Sequence, residues 1–240
     1  MFEITALATI VATAGFLQGL TGFGFGLMAL PLMSLFIPIK TIIPLIIILT
    51  LFINLTLTIQ LWNAVRLKTI GPLFVAAIPG IYIGVYLLTQ VSSESLTMFV
   101  GMLTIAFASY QLFATPIPRE LGLFATMCTG LASGILSSSI STAGPPAIIY
   151  TTIQPWSKDK AKATLGSYFL IVGIATVAVH ALNGIITGPV LTYSAYLLPA
   201  LIVGTLAGTW VYSRITDGRY RKIAIILVLL LGVMMLIKGF

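Results

Sequence analysis

Charged residues are so sparse that they divide this chain into long apolar lengths. Between Glu3 and Lys40 lie 36 uncharged residues, between Lys40 and Arg66 25, between Lys68 and Glu94 25, and between Glu94 and Arg119 24. The second half gives 37 between Glu120 and Lys158, 51 between Lys162 and Arg214, and 15 between Lys222 and Lys238. A helix crosses a bilayer with about 20 predominantly apolar residues. The gaps of 24 and 25 therefore predict one span each. The 51-residue gap contains the turn-rich Asn183-Gly-Ile-Ile-Thr-Gly-Pro189 and predicts two spans, about 163–182 and 190–213. The gaps of 36 and 37 are too long for one crossing and short for two. Each has a middle that breaks a helix: Thr21-Gly-Phe-Gly-Phe-Gly26 in the first, Ser137-Ser-Ser-Ile-Ser-Thr-Ala-Gly-Pro-Pro146 in the second. Five glycines, at 15, 19, 22, 24 and 26, fall in one apolar run. Each costs a helix interior about 1 kcal/mol relative to alanine. A hairpin of two short helices fits both gaps.

The two hairpins stand at matching places. Gly15-x-x-x-Gly19 resembles Gly130-x-x-x-Gly134, and Gly80-x-x-x-Gly84 resembles Gly204-x-x-x-Gly208. The chain reads as two repeats, 1–117 and 118–240, in one integral membrane domain. The predicted fold class is an all-α polytopic membrane protein of two inverted repeats, each a broken helical hairpin plus three transmembrane helices, about ten helical segments in all. Five segments per repeat is an odd number, so the second repeat is inverted. Charge supports this count. With hairpins, Arg66, Lys68, Arg119, Lys158, Lys160, Lys162, Arg214, Arg219, Arg221 and Lys222 share one side, against Lys40 and Lys238 on the other. If each long gap were a single crossing, the basic residues would divide eight against four. Basic loops stay in the cytoplasm, so both termini are expected on the periplasmic or extracellular side of a cell inner membrane.

Composition agrees: 59% of residues are hydrophobic and 7% charged, and the mean hydropathy is +1.13. A soluble domain carries about 25% charged residues. The net charge of +7 is explained by membrane topology, and no nucleic-acid partner is expected. The N-terminus lacks the basic region of a cleaved signal peptide. One cysteine, Cys128, excludes an intrachain disulfide and reads as a packed, inert thiol. One histidine, one cysteine and no clustered acids predict no metal site. No nucleotide-binding loop is present, and no cofactor is expected.

Broken helices at matched positions of inverted repeats point to a transporter's binding site. Irregular backbone at membrane depth must be buried in protein or line a wet cavity, and free amides at a half-helix N-terminus attract anions. Hairpins entering from opposite faces can bring their tips together near the midplane. The candidate substrate-binding residues are Gln18, Thr21, Gly22, Gly24 and Gly26 in the first tip, with Phe23 and Phe25 either walling the cavity or facing lipid. In the second tip they are Ser137, Ser138, Ser139, Ser141, Thr142 and Gly144. No Lys or Arg falls deep in any predicted span. Dipoles and hydroxyls would hold an anion without the excessive grip of a buried ion pair. For the remaining paired glycines, close helix packing is the favoured role.

Gly19-x-x-Gly-Phe-Gly-Phe-Gly-x-x-x-x-Pro31, with a degenerate second copy at 130–146 and Pro79-Gly-x-x-x-Gly84, resembles the sulfite exporter TauE/SafE family, also called the toluene sulfonate uptake permease family. The likeness covers nearly the whole chain. Members of that family often repeat a Gly-x-Gly-Gly-Gly pattern where this chain has its serine-rich segment. The resemblance implies transport of sulfite, sulfonates such as sulfoacetate, or related small sulfur-containing anions across the inner membrane.

Other polar positions add less. Asn54 shares a helix face with Thr50 and Thr58, turned either to the cavity or to a neighbouring helix. His180 is either a proton relay or, more simply, a hydrogen-bonded interfacial histidine near the outer surface. The carboxylates all fall in loops or near the N-terminus, so none advertises proton or cation coupling within the membrane. Coupling through backbone carbonyls, or through a proton carried on the substrate, remains open. A homodimer is permitted by the small-residue faces. Two rivals stand beside a carrier: a passive anion channel, and an intramembrane enzyme, whose weakness is a lone histidine far from the tip serines.

Overall fold

The structure, a computed structural model, describes residues 2–21, 24–65, 67–212, 214 and 219–239. Among them are ten α-helices: α1 (Phe2–Thr21), α2 (Phe25–Met33), α3 (Ile39–Gln60), α4 (Leu67–Gln90), α5 (Ser93–Phe113), α6 (Leu123–Ile140), α7 (Gly144–Ile153), α8 (Lys158–Leu182), α9 (Gly188–Tyr212) and α10 (Arg219–Gly239). Seven of these, α1, α3, α4, α5, α6, α8 and α9, are long and apolar enough to cross a membrane. The protein is a multi-pass membrane protein. Its exposed residues are largely apolar, such as Val75, Tyr82 and Tyr86 on α4 and Leu191, Val203 and Leu206 on α9, as a lipid-facing surface requires.

The expected hairpins form, but each is lopsided. At 1.5 Å per residue, the 20 residues of α1 span about 30 Å and the 9 of α2 about 14 Å. Likewise α6, with 18 residues, spans about 27 Å and α7, with 10, about 15 Å. Each hairpin is thus a full-length helix that returns as a half-helix, where two short helices were expected. The charge-free gap fixes only the summed length of the two arms. The break predicted at 183–189 is real: α8 ends at Leu182, Gly184 takes φ 69, and α9 begins at Gly188.

The helices gather into two compact units. The first comprises 1–46, 91–114 and 187–240; the second comprises 47–90 and 115–186. Each unit draws helices from both halves of the sequence. In the first, α1 packs on α9 and α5 on α10; in the second, α4 packs on α6 and α8. Glycine makes these seams. A methyl group at Gly204 would strike the backbone of Ala12, and one at Gly208 that of Phe16. In the second unit the same holds for Gly130 against Leu73, Gly134 against Ala77, and Gly80 against Leu131. The paired glycines are packing notches that admit a neighbour's carbonyl. The core of the second unit is Ile70, Leu73, Ala77, Ile81 and Val85 of α4 against Ala147 and Tyr150 of α7 and Tyr168, Val172 and Val179 of α8.

Candidate functional site: two broken helix tips

The first tip turns on one glycine and one glutamine. Gly24 stands at φ 101, ψ −2, immediately before α2. A side chain in left-handed backbone costs about 1–2 kcal/mol, which glycine avoids. Gln18, in the last turn of α1, reaches across the turn, and its Oε1 accepts the Phe25 amide N–H at 2.9 Å. One of the first-turn donors of α2 is thereby satisfied. Gln18 is therefore the brace of the tip, with an acceptor already engaged. Phe25 is 1% exposed and packs inward, so it does not face lipid. Gly26 follows in the first turn of α2, where no earlier helical carbonyl lies in range of the amides. Gly22, Phe23 and the Thr21 side chain lie outside the described residues.

The second tip is built differently. α6 stops at Ile140, Ser141 adopts φ 56, and the amides of Ser141 and Thr142 turn back onto the carbonyls of Ser137 and Leu136. After Ala143 the chain enters α7 at Gly144, followed at once by Pro145 and Pro146. Proline suits the first helical turn because that amide has no intrahelical partner. It also removes the donors that α2 keeps. The second tip offers few backbone amides and many hydroxyls.

Those hydroxyls point in different directions. Ser139 Oγ donates to the Ile135 carbonyl at 2.7 Å, and Thr142 Oγ1 to the Ile140 carbonyl at 3.1 Å, so both are turned onto their own backbone. Ser137 and Ser138 instead face α8. Ser137 Oγ lies 3.1 Å from Thr176 Oγ1, and Ser138 Oγ 3.2 Å from His180 Nε2. His180 is fully buried and hydrogen-bonded within the helix packing. It is also not remote from the serines: α8 runs alongside α6 and delivers it to the tip. The contact is no catalytic dyad. The same Nε2 lies 3.0 Å from the Ser138 carbonyl oxygen, which can only accept. The proton therefore sits on Nε2, and that nitrogen cannot take one from the Ser138 hydroxyl.

A polar seam continues along these two helices. Thr164, Tyr168, Thr176 and His180 recur at helical spacing on one face of α8. Ser133 and Ser137 do the same on α6. The Tyr168 hydroxyl faces that of Ser133 across the seam, while Thr164 Oγ1, Ser167 Oγ and His180 Nδ1 reach no hydrogen-bond partner among the described residues. A buried polar group left unpaired costs about 1–3 kcal/mol. Several along one seam mark a place adapted to something polar. The four-residue spacing on α8 was present in the sequence as a signal; its partner on α6 was not.

Asn54 is buried in the second unit, between Leu51 and Leu57 of α3, which pack on Gly173 and Gly166 of α8. Thr58 Oγ1 donates to the Asn54 carbonyl and Thr50 Oγ1 to that of Ile47, so this face meets a helix. Cys128 is exposed, contrary to its expected packing, because it lies on the side of α6 away from the glycine notches. No cluster of metal-ligating side chains occurs among the described residues.

The family model described as Sulfite exporter TauE/SafE matches residues 7–235. The chain is 19% identical over 230 residues to the probable sulfite/organosulfonate exporter TauE of Cupriavidus necator, covering 93% of this chain and 90% of that relative. No solved structure matches it.

Proposed function

We propose, from the premise that this chain belongs to the sulfite exporter TauE/SafE family, that it is a secondary carrier of a small sulfur-containing anion, sulfite, sulfoacetate or another organosulfonate. It works by alternating access across the inner membrane, with basic loops in the cytoplasm and both termini outside. The observation that carries this reading is the pair of full-length helices that each return as a half-helix, α1 into α2 and α6 into α7. The N-terminus of α2, opened by Gly24 and held by Gln18, presents amides and the positive end of a helix dipole to an anion. The second tip, in the other unit, carries hydroxyls of its own at Ser137 and Ser138. An anion held by neutral donors is bound without a fixed counter-charge and can leave again.

Reconstituted vesicles test the reading. Uptake of labelled sulfite or sulfoacetate should saturate and show counterflow when the vesicles are preloaded with unlabelled substrate. A conductance linear in voltage, with no counterflow, would make the protein a channel and overturn it.

A further inference from the structure

The second unit contains a cavity of about 290 Å³ where α4, α6 and α8 begin and α7 ends. Lys68, Thr126 and Lys160 enter it from the first turns of α4, α6 and α8, and Tyr150, Gln154 and Trp156 close it from the end of α7 and the link to α8. Three helix N-termini therefore converge on one space, each contributing partial positive charge, and two ammonium groups join them. Among the described residues Glu120 is the carboxylate in the wall, so two lysines face one glutamate there.

The wall is braced. Lys160 Nζ stands 4.5 Å from the centroid of the Trp156 ring. Trp156 meets Tyr150 edge-on at 5.9 Å between centroids, and the Tyr150 hydroxyl lies 2.9 Å from Thr126 Oγ1. Gln154 is 8% exposed and lines the same space, where its side-chain amide can donate to a bound anion. On α8, Lys160 heads the same four-residue spacing that continues through Thr164, Tyr168, Thr176 and His180, so the cavity stands at the basic end of the polar seam.

We propose that this cavity is a second anion site, separate from the tips, which captures the oxoanion head of a small organosulfonate at the cytoplasmic mouth. Lys68 and Lys160 supply the charge, Gln154 and the first-turn amides supply donors, and the indole of Trp156 lies against the organic part. The ligand class rests on the transport reading above; the site itself rests on the cavity.

The test uses the full chain purified in detergent, with Trp62→Phe and Trp210→Phe so that Trp156 is the remaining tryptophan, and sulfoacetate as the probe. Saturable quenching of Trp156 is expected. Lys68→Gln and Lys160→Gln should each weaken it about tenfold, and Glu120→Gln should strengthen it. Gly24→Val, which alters the first tip, should leave it in place. Calorimetry of Lys68→Gln/Lys160→Gln with all tryptophans native gives the same answer should the double-phenylalanine background fail to fold: the weakening must persist. Calorimetric binding with Trp156 silent, or quenching indifferent to both lysines, overturns the cavity site and leaves the carrier reading standing. Failure to bind sulfoacetate, sulfite or taurine by either method overturns both.

Discussion

Gln18 Oε1 accepts the amide proton of Phe25 across the first tip at 2.9 Å, tying the end of one helix to the start of the next. The bond does the work of an N-cap, which a glycine at position 24 cannot do with a side chain. Gln18→Leu should cost about 1 kcal/mol of stability, the usual loss on removing a cap, and lower transport. Gln18→Glu keeps the acceptor and should melt near the parent temperature, but its negative charge should weaken anion uptake at least as much as Gln18→Leu does. Thermal unfolding and vesicle uptake, measured on both variants, separate bracing from charge.

Gly24 allows a sharper contrast. Its φ of 101 disfavours any β-carbon, but asparagine tolerates left-handed backbone better than alanine or valine. Uptake should fall in the order Gly24→Asn, Gly24→Ala, Gly24→Val, with helix content and membrane insertion unchanged. Equal activity in all three would show that the conformation of the turn does not matter to transport.

His180 donates from Nε2 to the Ser138 carbonyl. His180→Phe removes the donor and strands the Ser138 carbonyl, at a cost of about 1–3 kcal/mol, seen as a lower melting temperature. His180→Gln, which retains an N–H of similar reach, should recover most of the loss. A variant series that abolished a hydrolytic activity in pure protein, with stability unchanged, would restore the enzyme reading.

The glycine notches predict a position-specific pattern. Gly130→Ala and Gly204→Ala each push a methyl group into backbone of the facing helix, at Leu73 and Ala12, and should lower the yield of folded protein severely. Gly71, within α4, has nothing within 4 Å of a built β-carbon; Gly71→Ala should be neutral or stabilise by up to about 1 kcal/mol. Fluorescence-detected size exclusion after heating would resolve the three.

The sequence carried the hairpins, the break near Gly184 and the number of helices, because charge and turn residues mark where a chain leaves the membrane. It did not carry the lopsided arms, since nothing charged distinguishes α1 from α2. The reading of the sequence singled out His180 but not the polar face of α8 on which it lies, nor that Ser137 and Ser138, 39 and 42 residues from Thr176 and His180, would meet it. Likewise Gly15 and Gly19 were legible as a notch, while the helix that fills it was not. Small-residue motifs specify how closely a partner approaches, and leave its identity to topology. Gln18 drew notice as a polar residue beside a glycine run, and its bond to Phe25 depended on a turn whose shape only the structure supplies.

The packing of α1 on α9 has a consequence for biogenesis. Gly15 and Gly19 meet backbone near Leu201, Thr205 and Gly208, which leave the ribosome almost two hundred residues later. α1 must therefore wait in the bilayer with its groove unfilled until α9 has been made, and it is completed long after it is inserted.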